Sequence, residues 1–465
     1  MQTNFTKKQL EDPRIAEADA ILRRCVHCGL CTATCPTYLL LGDERDSPRG
    51  RIYLIKDMLE GAGPAHVETS QHIDRCLSCL SCMSTCPGGV DYMHLVDIAR
   101  THIEETRPRS PVPRMVRRAL AAVLPFPRRT RWALRAAAIA RPFAAFVRRL
   151  GLKEAAAMLA LAPRKLGTAK YSGAGTAATS GARRGRVILL AGCVQQVLRP
   201  EINDSTIRLL ARSGYDVEVA GGAGCCGALV QHMGREADAH QFARRNIDAW
   251  SRLISRGPVD AIIVNASGCG TVVKDYGHMF RNDPEYRTKA EVVSSKARDI
   301  SEFLAEVDPG PPRRWSSIRV AYHDACSLRH GQRIVDEPRA LLSTAGFTVV
   351  DIPESHICCG SAGTYNILQP ELATELRDRK VANIEAQRPD IIACGNIGCM
   401  TQIAAGTDIP IAHTVELLDW AYGGPVPVGL SGIEAYSNEV PGPPPVAKWA
   451  IDQKFKVKER ELPPQ

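Results

Sequence analysis

Apolar residues recur at helical spacing in three stretches of the first 106 residues. Ile15, Ala18 and Leu22 share one face between Asp12 and Arg24. Ile52, Ile55, Met58 and Leu59 share another after the Ser47-Pro48 pair, and VDYMHLVDIARTHIEE (90–105) repeats the device. Each predicts a short amphipathic helix, and Ser followed by Pro is a helix-start signal. Beyond residue 185 the pattern changes. Apolar, strand-like runs end just before Cys193 (RVILLAGC), Cys269 (VDAIIVNASGC), Cys326 (IRVAYHDAC) and Cys399 (DIIACGNIGC), with helical stretches such as STIRLLARSG and PRALLSTAG between them. That alternation predicts βα units with parallel strands. Ligands of open α/β sheets sit at the carboxyl ends of strands, so these cysteines are expected on one rim of each sheet.

Between the two regions the composition shifts. From Arg107 to Lys170 there are sixteen Lys and Arg against a single acid, Glu154, whereas the whole chain carries only +9, so the remainder is net acidic. Ala and Leu are frequent there and Pro125, Pro127, Pro142 and Pro163 punctuate the stretch, which predicts several short amphipathic helices. Such helices suit an anionic membrane surface, an acidic partner or a solvated connector. The following YSGAGTAATSGARRG reads as a flexible linker, and the Pro-rich, charged stretch after Gly423 as a partly disordered tail.

At 465 residues the chain exceeds what one core usually serves, so several domains are expected. No uncharged apolar run approaches the ~20 residues that span a bilayer, and the polar N-terminus lacks an apolar export signal, so a cytoplasmic location is expected, with peripheral attachment to the inner face of the membrane allowed. Aromatic residues make up 5% and no interleaved basic and aromatic motif points to nucleic acid.

The cysteines change the picture most. Seventeen clustered cysteines without an export signal read as metal ligands in a reducing compartment. CVHCGLCTATCP (25–36) and CLSCLSCMSTCP (76–87) both have the spacing C-x2-C-x2-C-x3-C-P, the bacterial ferredoxin run, and two runs imply two 4Fe-4S clusters. In that arrangement the fourth cysteine of each run crosses over. Cys25, Cys28, Cys31 and Cys86 are then assigned to one cluster, and Cys76, Cys79, Cys82 and Cys35 to the other. Pro36 and Pro87 are expected to end the loops. A pair of zinc sites is the rival use of C-x2-C, and the complete eight-cysteine pattern disfavours it. His27, inside the first loop, is read as a loop residue, since the thiolate positions are filled.

Cys193, Cys225 and Cys226 recur 133 residues later as Cys326, Cys358 and Cys359, and Cys269 recurs 130 later as Cys399. Two homologous domains follow. The spacing C-x31-CC with a later GC resembles the cysteine-rich CCG domain of heterodisulfide reductase B subunits, in which a final C-x-x-C gives five ligands to a non-cubane iron-sulfur centre. Here Ala266 and Asn396 stand where the fifth cysteine would be, and Cys394 is an extra cysteine out of register. Four thiolates suit a cubane or zinc, so each set is a candidate for an additional iron-sulfur or zinc centre.

A two-cluster ferredoxin domain followed by tandem CCG repeats resembles the iron-sulfur subunits of glycolate oxidase across nearly the full length, and HDACSLRHGQR (323–333), HICCGSAGTYNILQPELA (356–373), GNIGCMTQI (395–403) and HTVELLDWA (413–421) carry the likeness. The resemblance implies a multidomain α plus α/β protein: a helical ferredoxin-like front (1–108), a basic connector and linker (109–185), CCG domains at 186–308 and 318–425, and a tail (426–465). It implies an electron-transfer subunit, not catalytic alone, working with FAD-binding subunits that oxidise glycolate to glyoxylate and passing electrons to a quinone or other acceptor. The one formal GxGxxG, Gly222 to Gly227, contains Cys225 and Cys226, and their recurrence explains it better than a phosphate does, so no flavin of its own is expected. Subunits of lactate or other 2-hydroxy-acid dehydrogenases and heterodisulfide-type reductases are the alternatives. His323, Asp324, His330 and His356 flank the second CCG motif as candidates for proton relay or for orienting a metal ligand, with a structural role the blander reading.

Overall fold

The computed structural model describes residues 1–61, 63–162, 166–167, 174–179, 181–314 and 316–431. Most of the tail read from the sequence, 432–465, lies outside them.

The front unit is helical, and its helices start where the sequence signals do. Pro13–Arg23 begins behind Asp12, whose carboxylate accepts from the Arg14 amide at 2.8 Å, and Pro48–Glu60 behind Ser47, whose hydroxyl accepts from the Gly50 amide at 2.9 Å. Each cap satisfies an amide that has no partner inside the helix. With Tyr92–Thr106 these helices bury Ala18, Leu22, Ile55, Leu95 and Ala99 in one core that also holds Cys25, Cys76 and Cys82. Pro36 does more than end its loop: it is the first residue of the helix Pro36–Leu41, a position where the missing amide costs nothing.

The basic segment forms a run of helices including Pro111–Val123, Pro127–Ala140 and Lys153–Leu161. Part of the stretch read as a linker is ordered. Gly175–Ala177 (β1) pairs antiparallel with Tyr215–Val219 (β3) at the edge of the first sheet.

That sheet continues with β2 (Gly185–Leu189), β4 (Ala261–Val264) and β5 (Ala297–Asp299) in the order β1-β3-β2-β4-β5, with β3, β2, β4 and β5 parallel. The second sheet comprises β6 (Arg319–His323), β7 (Thr348–Val350), β8 (Ile391–Cys394) and β9 (Ile411–His413), all parallel, in the order β7-β6-β8-β9. The parallel parts share one topology, as the cysteine repeat requires. Strand order reverses between β2 and β4 in one sheet and between β6 and β8 in the other, and this reversal opens a crevice at the strands' carboxyl ends. Cys193 and Cys269 follow β2 and β4; Cys326 and Cys399 follow β6 and β8. A single apolar core, from Val187 and Leu189 through Val320 and Ala321 to Ile392, joins the two units. The fully buried Asp419 carboxylate strengthens the joint by accepting from Arg208 at 2.6 Å and from Arg212.

Candidate functional site

The two ferredoxin-type loops share a backbone device. His27 and Gly29 flank Cys28, Ser78 and Leu80 flank Cys79, and all four flanking residues are left-handed (φ 56°, 82°, 50° and 62°). Left-handed residues in a short loop turn amides inward, and the Ser78 amide accordingly donates to Cys76 Sγ at 3.5 Å. Cys25, Cys28, Cys31 and Cys86 line one small cavity, Cys35, Cys76 and Cys79 line a second, and Cys82 borders both. Each fourth cysteine therefore stands with the other run's trio.

Arg51, 1% exposed, anchors the second cavity, with Nε donating to the His72 carbonyl at 2.8 Å, Nη2 to Asp46 at 3.2 Å and Nη1 reaching Cys35 Sγ at 3.7 Å. Arg100 fixes the same loop from outside by donating to the Cys76 carbonyl and to Ser78 Oγ, both at 2.6 Å. Burial pushes the Cys31 thiol up to about 11 and raises Cys79 and Cys82 well above the ordinary thiol range, with neighbouring thiols adding to the effect. Thiolates so placed need a cation to be stable, and iron supplies one, so the donor set fits iron-sulfur clusters.

In the first α/β unit successive thiol contacts run from Cys193 to Cys225, Cys226 and Cys269. The second unit repeats this from Cys326 to Cys358, Cys359 and Cys399, and extends it to Cys394. Contacts with neighbouring thiols together with burial hold Cys193, Cys326 and Cys359 far above the free-thiol range. The glycine after each cysteine pair is obligatory. Gly227 and Gly360 have φ of +96° and +85°, and a Cβ on Gly360 would stand 2.4 Å from the Ala373 carbonyl oxygen.

The two rims face each other. Ser267 Oγ lies 2.7 Å from Ser327 Oγ, Asn396 Nδ2 donates to Ser267 Oγ at 2.9 Å, and His413 Nε2 donates to the Asn265 carbonyl at 2.9 Å. Asn396 also caps the helix Ile397–Ala404 by accepting from the Gly398 and Cys399 amides. At the position of the missing fifth cysteine it has become a helix cap and a bridge between units.

Between the rims lies a cavity of about 430 Å³. Thiols of both units and Cys79 of the front unit reach it, and the basic helices close it with Leu120, Val123, Leu134 and Met158. His232 lines it with a buried Nδ1 that has no partner among the described residues, and burial, aided by the charge of Arg100, lowers that imidazole to about 3. Sequence reading did not single out His232, Arg51 or Lys380. Lys380 is buried near Cys326 and Cys359, and its Nζ donates to the Glu354 carbonyl at 2.7 Å. The histidines and the aspartate that it did single out diverge in role. Asp324 is paired with Arg339 at 2.5 Å and with Arg329 at 3.4 Å, a structural use. His330 bridges Ser84 Oγ at 2.7 Å and the His356 carbonyl at 3.1 Å, while His323 has no hydrogen-bond partner among the described residues.

Two cysteine-lined cavities in a helical unit, joined to paired parallel sheets with thiols at their switch points, define an iron-sulfur electron-transfer protein. Residues 21–90 match the 4Fe-4S dicluster domain family, and 187–274 and 320–404 match the cysteine-rich domain family known as CCG. The chain is 42% identical over 421 residues to the glycolate oxidase iron-sulfur subunit of Escherichia coli (strain K12), an alignment covering 90% of this chain and 99% of the relative. It is 31% identical to the probable glycolate oxidase iron-sulfur subunit of Bacillus subtilis (strain 168), covering 91% and 99%. The chain belongs to the family of glycolate oxidase iron-sulfur subunits. Lactate utilization protein A of Oceanobacillus iheyensis is 27% identical over 50% of this chain and 96% of its own length. A crystal structure of a hypothetical protein from Helicobacter pylori shares the fold, with a TM-score of 0.52 at 10% identity over 93% of this chain and 78% of that one.

Proposed function

We propose that this chain takes electrons one at a time from flavoprotein subunits that oxidise glycolate to glyoxylate and delivers them to a quinone or another acceptor. In this reading Cys25, Cys28, Cys31 and Cys86 hold one 4Fe-4S cluster, and Cys76, Cys79, Cys82 and Cys35 the other. Cys193, Cys225, Cys226 and Cys269 form one further centre, and Cys326, Cys358, Cys359 and Cys399 another. The domain bounds proposed are those read from the sequence, except that the first α/β unit takes in β1 (Gly175–Ala177) and the start of β2 at Gly185. When bound, the clusters supply one-electron redox chemistry; the polypeptide positions them and keeps water away.

The observation that carries the proposal is the position of Cys79. It lies beside Cys326 and lines the same cavity as the thiols of both α/β units, so the front unit and the rims are one continuous thiol-lined region. An apolar acceptor suits that cavity. The helices that close it bear an outer face on which Trp132 and Ile139 are 70% and 80% exposed among arginines, and this face suits peripheral contact with an anionic membrane. Among the described residues no helix is long and apolar enough to cross a membrane.

The test is anaerobic mixing of the purified chain with separately purified flavoprotein subunits. Glycolate should bleach the cluster absorption only when the flavoprotein is present, because two-electron removal from a 2-hydroxy acid needs a hydride acceptor. A faster response to lactate would move the assignment to another 2-hydroxy-acid dehydrogenase. Turnover of glycolate by the chain alone would overturn it.

A further inference from the structure

The second CCG set contains two side chains for which four-thiol ligation has no place. His323 and Cys394 end β6 and β8 and are direct partners in the ladder, so both project to the same face of the parallel sheet. Cys399 stands in the first turn of the following helix. A ring nitrogen of His323 and the two sulfurs all lie within 4.8 Å of one another. His323 is completely buried, and among the described residues neither of its ring nitrogens has a hydrogen-bond partner. One strand further along, His413 is paired with Cys394 in the ladder and is equally buried, yet it engages both nitrogens, accepting from the Val415 amide at 3.1 Å and donating to the Asn265 carbonyl at 2.9 Å. Buried polar atoms in native proteins are almost always satisfied, so an imidazole with two free nitrogens calls for an explanation.

The first unit sharpens the contrast. The same offsets that align the cysteines place Leu190 opposite His323 and Val264 opposite Cys394, and both are buried apolar residues. The fold at this spot therefore accommodates an apolar pair, and the second unit has a soft thiol and an imidazole instead. Besides its contact with Cys399, Cys394 makes a loose 3.6 Å contact with the Asn396 carbonyl. Its C-x4-C spacing to Cys399 hid it from a search for C-x-x-C, but the strand end brings it to the same thiol set.

We propose that His323 and Cys394 are metal ligands of the second CCG centre, joining Cys399 on its iron, so that the two CCG centres differ: thiolate-only in the first unit, mixed thiolate and imidazole in the second. Imidazole and thiolate are both ordinary iron ligands, and a neutral imidazole adds a donor without adding negative charge to the centre. The inference rests on reading the second unit as an iron-sulfur site.

The experiment uses the full chain, purified anaerobically as wild type, His323→Leu and Cys394→Val, the variants carrying the residues found at the equivalent positions of the first unit. Iron and sulfide are assayed, and pulsed electron paramagnetic resonance is recorded on dithionite-reduced and ferricyanide-oxidised samples. Wild type should hold more iron than the about eight atoms of two cubanes, and one of its centres should show a directly coupled nitrogen. His323→Leu should lose that coupling, and Cys394→Val should lose iron or alter the signal of the same centre. The front-cluster signals should persist in both variants, which also reports that they fold. Iron beyond eight with no nitrogen coupling in wild type, or a coupling that survives His323→Leu, overturns the proposal alone. Iron limited to about eight, or zinc in the second unit, overturns the underlying site reading as well.

Discussion

Tyr365, in the second CCG unit, donates its hydroxyl to the carbonyl of Arg75 at 3.1 Å, one residue before Cys76. This bond clamps a ferredoxin-type loop onto the rim that carries Cys326 and Cys358. Tyr365→Phe leaves a half-buried carbonyl without its partner and should cost about 1 kcal/mol of stability. Iron content should stay at the wild-type value while onward electron transfer slows, and paired chemical denaturation and stopped-flow traces check both.

Arg51 is a second such control point. Its guanidinium is buried with the Asp46 carboxylate, which Arg75 also holds at 2.8 Å, and it reaches Cys35 Sγ. Arg51→Met leaves a buried carboxylate short of a partner and should destabilise the front unit by about 3–5 kcal/mol. It also removes a donor and a positive charge beside one cluster. The potential of that cluster should fall relative to the other, as a redox titration followed spectroscopically would show.

The joint between the front unit and the first CCG unit should depend on pH. His94 donates to Asp91 at 2.6 Å and to Asp275 at 2.9 Å and stacks on His278, while Glu17 pairs with His278 at 2.7 Å and with Arg281. Burial opposes its charge, but the bonds to Asp275 and Asp91 outweigh burial and raise His94 to about 10. A raised histidine contributes its full stability below the unfolded value near 6.5, and that contribution is lost as pH climbs through the folded value. Thermal stability of the wild type should therefore fall between pH 6.5 and about 10 more steeply than that of His94→Gln. Parallel curves would contradict the argument.

Binding through the basic helices should be electrostatic in large part. Vesicles containing anionic lipid should retain the chain at low salt and release it as ionic strength rises, because exposed charges are screened within ~8 Å at physiological salt. Trp132→Ser together with Ile139→Ser should weaken the retention, since both side chains are exposed on that face. Retention that ignores salt and both substitutions, or no retention at all, would move the segment to the partner-docking or connector reading.

Much of this is legible in the sequence, for physical reasons. The ferredoxin spacing leaves little freedom in how three thiolates wrap a cluster, and the offsets of Cys193 and Cys326 reveal the duplicated sheet directly. What escaped was whatever depends on pairing across the sheet. His323 and Cys394 are 71 residues apart and meet only because β6 and β8 are neighbours in register. The basic segment was visible as charge, but its inner face, with Leu120 and Met158 against the cavity, was not. Helical periodicity shows that a face is apolar, and only packing shows what covers it. Gly175–Ala177 was masked by the composition of its surroundings; its pairing with β3 outweighs a weak local preference.

In the proposed function electrons leave through the clusters, and oxidation of the substrate happens on the flavoprotein subunits. The most direct measurement is rapid mixing of the assembled complex with glycolate, with flavin reduction and reduction of an external acceptor followed in the same shot, for wild type and Cys79→Ser. Flavin reduction should be unchanged in both and most acceptor reduction should be lost in Cys79→Ser, with complex assembly verified by gel filtration. Equal acceptor reduction in the two, or flavin reduction that falls with Cys79→Ser in an intact complex, would contradict the proposed function.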